Sequence, residues 1–537
     1  MQTRLAAKAI TTETVEVIKP ATATDGLSRA ASKANTRTLC LALAAAVTLI
    51  YLGLAVGRVV TDGPGCDEGW FASPAHNLAT KGHMGTTVIE ESNLSMTERI
   101  HQFTYWVMPL NILAQATLYE IFGFGLFAMR SISVAFGLIA LVAWFIIIKS
   151  ITSDRNVALL TVAVIALDFA FIRSASTGRM DMMCAALNFA AFAAYLRLRG
   201  RNIALAIFTA NALIALSGLT HPNGALGFSG LAFLTLYYDR RNIKWRHAMM
   251  AAAPYLIGGA GYLLYIANDP NLFLTQLSGN GGGRLWGLAS PLGALKYEIT
   301  ERYLGLSAVG SANYLKAALV AAYAVGIAGA ICTREIRSAK GYRALLIISA
   351  LFFAHQTFLE GTKLYLYLVH ITPLYAAMLA AWVHSCWVNR RAPRRIMAPA
   401  FCGLILLHLA GSVYVMARDS YHKSYMPAVD FLNRNSDERS SIMGTSELSF
   451  DLKYCDSLLD DKYLGYNSGR APDFIVVDAR YEQEHEDVRE NRPEIYEHVN
   501  RLLAEDYRQV FDRAGYRIYA RRQAPHLISA HLNKSAQ

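Results

Sequence analysis

Twelve apolar runs spaced between residues 39 and 417 restrict this chain more than any other feature. They are Leu39–Val60 and then 105–123, 127–148, 156–172, 182–196, 203–219, 224–238, 248–268, 314–333, 344–359, 364–388 and 396–417. A helix rises about 1.5 Å per residue, so roughly 20 apolar residues cross the hydrocarbon of a bilayer, and most of the runs approach that length. With 54% of its 537 residues hydrophobic and 17% charged, the chain lies outside the ordinary soluble range. It is expected to be a polytopic α-helical membrane protein with about 11–13 transmembrane helices. No small-residue cleavage site follows Leu39–Val60, which reads as a span and not as a signal peptide.

The connections between the runs sort by charge. Five are strongly basic: Lys149/Arg155, Arg197/Arg199/Arg201, Arg240/Arg241/Lys244/Arg246, Arg334/Arg337/Lys340/Arg343 and Arg390/Arg391/Arg394/Arg395. They alternate with connections poor in Lys and Arg at 173–181, 220–223, 269–313 and 360–363, as the positive-inside rule requires. Residues 1–38 then form a polar, basic, disordered cytoplasmic tail. Residues 39–418 form a membrane domain with a first outer loop at 61–104, and residues 419–537 lie outside, on the periplasmic side of an inner membrane. The net charge of +11 is spent on these turns. It reads as topology, and no nucleic-acid partner is expected. One parity condition follows: an odd number of crossings must separate the loop 61–104 from the basic turn 149–155. The run 105–123 holds Pro109, Asn111, Gln115 and Glu120, so it reads as a tilted or re-entrant helix.

Seven cysteines have neither CxxC nor metal-type spacing. Cys66 and Cys455 fall in outer segments and are expected as free thiols, a bridge between them being the other option. After residue 418 charged residues become frequent. Ser441–Met443, Asp473–Asp478 and Tyr516–Ala520 read as short strands, and 425–434 and 494–504 as helices, giving a small α/β domain with no chemistry assigned to it.

The outer connections carry the unusual residues. Asp62-Gly-Pro-Gly-Cys-Asp67-Glu68-Gly-Trp70 sets two adjacent carboxylates in a Gly/Pro turn at the start of a short helix over 69–81, expected to lie on the membrane surface. The loop that ends in Arg179-Met-Asp181 offers an acid suited either to capping the next helix or to a substrate or metal role. Thr220-His221-Pro222 is a turn or a site. Glu360-Gly-Thr-Lys363-Leu-Tyr365-Leu-Tyr367 suits either interfacial anchoring or contact with an anion. Asn280-Gly-Gly-Gly-Arg284-Leu-Trp286 adds a further cation. Acids, bases and aromatics at the outer rim of an apolar bundle suit a substrate with a lipid tail and a phosphate head.

At these residues the sequence resembles the GT-C superfamily of polyprenyl-phosphate-dependent glycosyltransferases, in the protein O-mannosyltransferase and lipid A aminoarabinose transferase branch. The resemblance covers most of 39–418. It rests on Asp67-Glu68 after the first span, Leu118–Ser133 (LYEIFGFGLFAMRSIS), Arg179-Met-Asp181, Gly218-Leu-Thr-His-Pro and Lys363-Leu-Tyr-Leu-Tyr367 followed by Pro373. It implies an Asp of the first outer loop as catalytic base, a second outer-loop acid, and a Lys/Tyr segment at the donor phosphate. Asp67, Glu68 and Asp181 are therefore the candidate catalytic residues. Arg179, His221, Arg284, Lys363, Tyr365 and Tyr367 are the candidate substrate-binding residues. Where the aminoarabinose transferases carry a Glu-Lys-Pro-Pro type segment, this chain reads Glu98-Arg99-Ile-His101-Gln, which leaves His101 as the candidate substrate contact there. No Trp-Trp-Asp motif is present, which argues against en bloc transfer of a glycan to asparagine.

The expected activity is inverting transfer of a sugar from a polyprenyl-phosphate donor to a hydroxyl of a lipid, glycan or protein acceptor on the outer face, with membrane lipids as surroundings. No cofactor is assigned, and a divalent cation is left open. The alternative is a lipid or polysaccharide transporter, which calls for internal repeats and mid-bilayer polar residues; the sequence shows no repeat, and its polar clusters sit at the rim.

Overall fold

The computed structural model describes residues 23–282, 284–305, 313–390, 393–453 and 455–522. The chain divides into two compact units, 1–46 and 47–537. The first contributes the beginning of helix α1, Ala23–Thr61, which starts inside the stretch expected to be a disordered tail. Residues 1–22 of that tail, like Gly283 of the Gly281–Gly283 run, lie outside the described residues.

Every apolar run of the sequence falls on helix. After α1 come α2 (Cys66–Lys81), α3 (Pro109–Phe122), α4 (Leu126–Thr152), α5 (Arg155–Leu167), α6 (Phe169–Ala175), α7 (Asp181–Leu198), α8 (Ile203–Thr220), α9 (Gly224–Asp239) and α10 (Trp245–Ile266). Further long helices cover Asn313–Cys332, Lys340–Phe358, Thr372–Val388 and Arg394–Arg418. Among the described residues, six helical segments have by themselves the length and apolarity of a full span, or seven if the bent pair α5–α6 is one span. The expected 11–13 also takes in shorter or more polar runs: α9 and Thr372–Val388 are 16 and 17 residues long, and α7 carries Asp181 and Arg197 near its ends.

Polar side chains end these helices. Asp154 accepts from the N–H groups of Asn156 and Val157, and Asn202 from that of Leu205. Asp168, an acid inside an apolar run, marks the 66° bend between α5 and α6. It caps α6 through the Phe171 N–H at 2.7 Å, and it accepts the Tyr323 hydroxyl at 2.6 Å, the buried partner such a residue requires. Leu256, Ile257, Leu263 and Leu264 of α10 stay exposed, which is the pattern of a lipid-facing helix.

At 14 residues α3 is about 21 Å long, shorter than the roughly 30 Å hydrocarbon core of a bilayer. The short helix α2, expected over 69–81, turns apolar residues into the protein. Its Phe71, Ala72 and Ala75 are buried, packing with Ile112 and Ala116 of α3 and with Phe450 of the C-terminal region.

The C-terminal region is an α/β layer. Strands β1 (Ile442–Met443), β2 (Leu458–Leu459), β3 (Phe474–Val477), β4 (Tyr507–Arg513) and β5 (Tyr516–Arg521) form one sheet in the order β2-β1-β3-β5-β4. The first three are mutually parallel, and β5 runs antiparallel to β3 and β4. Helices Met426–Asn435, Ala479–Asn491 and Pro493–Glu505 accompany the sheet; the first and last match the sequence reading, and the second was not read from it. The first outer loop joins the sheet edge, where the Asp460 N–H donates to Val88 O at 2.6 Å and the Glu90 N–H to Asp460 O at 3.0 Å.

Candidate active site

The two carboxylates at the start of α2 face different partners, as adjacent helix positions must. Glu68 is buried, and it accepts four hydrogen bonds: from Arg130 Nε (2.8 Å) and Nη2 (2.7 Å), and from the N–H groups of Gly178 (2.6 Å) and Gly65 (2.9 Å). A carboxylate has about four acceptor sites, so this one is saturated. Burial alone would raise Glu68, but the Arg130 guanidinium and the backbone donors hold it below the usual carboxylate range. The geometry of Glu68, expected among the catalytic acids, is that of a brace between α2, α4 and the loop before α7.

Asp67 stays accessible, with 37% of its side chain exposed, and its Oδ2 accepts from Nη1 of Arg179. The Nε of the same guanidinium donates to Asp181 Oδ2 at 2.8 Å, and its carbon lies 5.5 Å from the centre of the Phe71 ring. Asp67 and the Arg179-Met-Asp181 stretch, read separately in the sequence, thus form one Asp–Arg–Asp chain. Asp181 is the first residue of α7 and caps nothing; it is buried, and its Oδ1 has no hydrogen-bond partner in the structure.

Two cavities meet at Asp67 and Arg179. The narrower, about 190 Å³, is lined by Asp67, Trp70, Phe71, Trp106, Arg179, His221, Arg284 and Tyr367 among others. Four candidate substrate contacts therefore share one chamber with Asp67. His221 ends α8; its Nδ1 accepts the Asn223 N–H, and its Nε2 lies 3.4 Å from the Tyr367 hydroxyl. Arg284 is oriented by two bonds to Asn280, at 2.9 Å each. The wider cavity, about 550 Å³, is strongly cationic: Arg58, Arg130, Arg173, Arg179, Lys316 and Arg418 line it, against the acids Asp62, Asp67 and Glu68. Arg58 Nη1 has no partner in the structure.

A third cavity, about 760 Å³, continues from Arg173 and Lys316 to Trp286, Lys363 and Tyr365. The Tyr365 ring lies between Arg173 and Lys316, at 5.4 and 5.0 Å. Lys363 lines this cavity, yet its ammonium is directed inward: Nζ donates to Gln356 O and Thr357 O, both at 2.7 Å, and lies 3.1 Å from Glu298. It belongs to a buried network in which Arg302 bridges Glu298 and Glu360 at 2.8 and 2.7 Å. His101 is not brought to these cavities; half exposed, it pairs with Glu91 at 2.8 Å in the first loop.

Cys66, next to Asp67, is no nucleophile: burial pushes its thiol up to about 12. All seven cysteines are free, Cys66 and Cys455 included. Among the described residues no three or more His, Cys, Asp and Glu side chains are grouped to hold a metal ion, and the two nearest carboxylates, Asp67 and Asp181, share a guanidinium instead. Sequence reasoning missed Arg58 and Lys316, cations at the ends of apolar runs that read as span boundaries. Arg130 stood only inside the LYEIFGFGLFAMRSIS stretch.

No family profile and no curated protein matches the sequence. Solved structures do. The aminoarabinose transferase ArnT of Cupriavidus metallidurans, bound to undecaprenyl phosphate, superposes with a TM-score of 0.57 at 13% identity, over 89% of this chain and 97% of that one. The Archaeoglobus fulgidus oligosaccharyltransferase in complex with Zn and sulfate gives 0.56 at 13% identity, over 89% and 73%. The oligosaccharyltransferase AglB of the same organism, with an inhibitory peptide and a dolichol-phosphate, gives 0.54 at 13% identity, over 91% and 75%. The fold is that of the GT-C membrane enzymes, a multi-pass helical domain followed by a small sheet-containing region.

Proposed function

We propose that this chain is an inverting glycosyltransferase that moves a sugar from a polyprenyl-phosphate carrier to an acceptor hydroxyl on the extracytoplasmic face. The observation that carries the reading is the junction of the two cavities at Asp67 and Arg179. A phosphate with a lipid tail suits the cationic side, where Arg58, Arg173 and Lys316 supply charge. A sugar ring suits the narrow chamber, whose walls are Trp70, Phe71, Trp106 and Tyr367. Asp67, at the boundary, is placed to take the proton of the attacking hydroxyl as that oxygen bonds to the anomeric carbon and the phosphate leaves. Arg179 serves both sides: on meeting the phosphate it weakens its hold on Asp67 when the base is needed. Lys363 and Glu68 become supports of the site and not contacts to the reacting groups. The fold shared with structures that hold undecaprenyl phosphate and dolichol-phosphate supports the carrier class.

Purified protein in detergent, offered a panel of undecaprenyl-phosphate-linked monosaccharides with lipid, glycan and peptide acceptors, is expected to transfer one sugar with inversion. Turnover of none of them would overturn the reading.

The same reading puts the N-terminus in the cytoplasm and 419–537 outside. One cavity draws on the first outer loop 61–104 and on the Lys/Arg-poor connections 173–181, 220–223 and 269–313, with Leu364 and Tyr367 just past the connection 360–363. In a cysteine-free chain, Asn467→Cys and Ser338→Cys, both exposed positions, should be labelled by an impermeant maleimide from opposite sides. Labelling of both from one side would remove this topology.

A pH effect is expected in the C-terminal region. Glu447 is buried in a turn after β1, and Thr445 bonds its Oε1 while Oε2 has no partner in the structure. Burial pushes this carboxyl up to about 8, with Asp478 and Asp460 adding to the effect. Between its ordinary value of 4.5 and that value the native state holds a proton that the unfolded chain has released. Stability contributed at low pH is therefore lost as pH rises across this window. The Tm of wild type should fall more between about pH 5 and about pH 8 than that of Glu447→Gln, and parallel curves would contradict this.

A further inference from the structure

In open α/β sheets, ligands occupy the crevice at the carboxyl ends of parallel strands where the strand order reverses direction. Here the order β2-β1-β3 puts such a switch point beside β1. The segments leaving the three strands there begin with Gly444–Glu447 after β1, Asp460 after β2 and Asp478 after β3. What fills the crevice is not a ligand but the start of α2. The Trp70 Nε1–H donates to Asp460 Oδ2 at 2.8 Å, the Arg480 guanidinium lies 4.8 Å from the centre of the Trp70 ring, and the Ser446 hydroxyl donates to Cys66 O at 2.8 Å. Asp460 is itself fixed by the Tyr481 hydroxyl at 3.0 Å, Arg480 Nη1 at 3.1 Å and the Ser446 N–H at 3.2 Å. The approach is close enough to need Gly69: a Cβ there would lie 2.4 Å from the Ser446 carbonyl carbon.

We propose that Asp460 and Ser446 are positioning residues of the active site, so that the C-terminal region sets the place of Asp67 through two straps, one on each side of it in sequence. Cys66 is held by its carbonyl and Trp70 by its indole, so the first turn of α2 carrying Asp67 is clamped from outside the bundle. On the bundle side the same turn is held by Glu68 on Arg130 of α4, while Arg179, the contact of Asp67 itself, comes from the loop before α7. This inference rests on Asp67 acting as the base.

The test removes the straps from the C-terminal side and leaves the chamber walls in place. Asp460→Ala deletes the acceptor of the indole N–H and Ser446→Ala the hydroxyl donor; each is expected to lower kcat about 10-fold or more while KM for the undecaprenyl-phosphate sugar stays near wild type, as does the Tm of Ser446→Ala in detergent. In an Asp67→Asn background the same changes should cost nothing further, because no base is left to position. Equal losses in both backgrounds, or no loss in either, would overturn the positioning role while leaving the glycosyltransferase reading intact. An Asp67→Asn enzyme of normal turnover, or wild type inactive with every donor, would instead overturn that reading and this inference with it.

Discussion

Asp67→Asn is expected to bind undecaprenyl phosphate at least as tightly as wild type and to transfer sugar about 10²-fold or more slowly. The contacts of Cys66, Glu68 and Trp70 do not involve the Asp67 side chain, so the start of α2 keeps its place and the fold is unchanged. What is lost is the anionic oxygen able to take a full proton from a hydroxyl as it becomes a nucleophile. Loss of the charge also releases Arg179 toward the cationic cavity, which is why carrier binding should not weaken. Calorimetry with undecaprenyl phosphate and single-turnover transfer separate the two effects. If turnover stayed near normal in a folded preparation, Asp181 would be the next carboxylate to test, since its Oδ1 is buried without a partner at the far end of the same guanidinium.

How far the site could be read before the fold depends on how each residue signals. Asp67, Arg179 and His221 stand in short polar interruptions of an apolar chain and Tyr367 at the start of the run 364–388, all read from loop charge as belonging to one face, and the structure gathers them in one chamber. Direction is another matter. Lys363 looks in sequence like a cation at the membrane edge, yet its φ of 51° turns the chain so that the ammonium meets Glu298, 65 positions away in sequence and unremarkable in a segment that reads as loop. Arg58 and Lys316 carry the opposite ambiguity: each sits at the end of an apolar run, where snorkelling alone would explain it. Asp460 gave no signal. The strand before it is two residues long, too short for an alternating pattern, and its role depends on a contact with Trp70 across 390 positions. The short strand β2 and the charged helix Ala479–Asn491 were missed because neither repeats apolar residues often enough to show a period.

The largest effect on folding is expected from Arg130→Met. Arg130 is buried in α4 with all five of its N–H groups used: two on Glu68, two from Nη1 to Val59 O (3.0 Å) and Asp62 O (2.7 Å), and one from Nη2 to Gly63 O (3.0 Å). It therefore closes the end of α1 and fixes where α2 begins. A methionine fills much of the volume but leaves the Glu68 carboxylate buried without its counter-charge, a defect that costs about 3–5 kcal/mol in comparable buried pairs. The first outer loop should loosen, and transfer should be lost together with stability. Removing the stranded charge as well should reverse much of this. Glu68→Gln keeps one acceptor oxygen, enough for either the Gly178 N–H, now on Oε1, or the Gly65 N–H, now on Oε2, and the double variant Arg130→Met/Glu68→Gln leaves no uncompensated ion in the core, so it is expected to be more stable than Arg130→Met by itself. Thermal unfolding in detergent of the four proteins of this cycle measures the coupling. A double variant as unstable as the sum of the two single ones would mean that the pair does not act as a unit, and that the packing of Arg130, not its charge, holds the loop that carries Asp67.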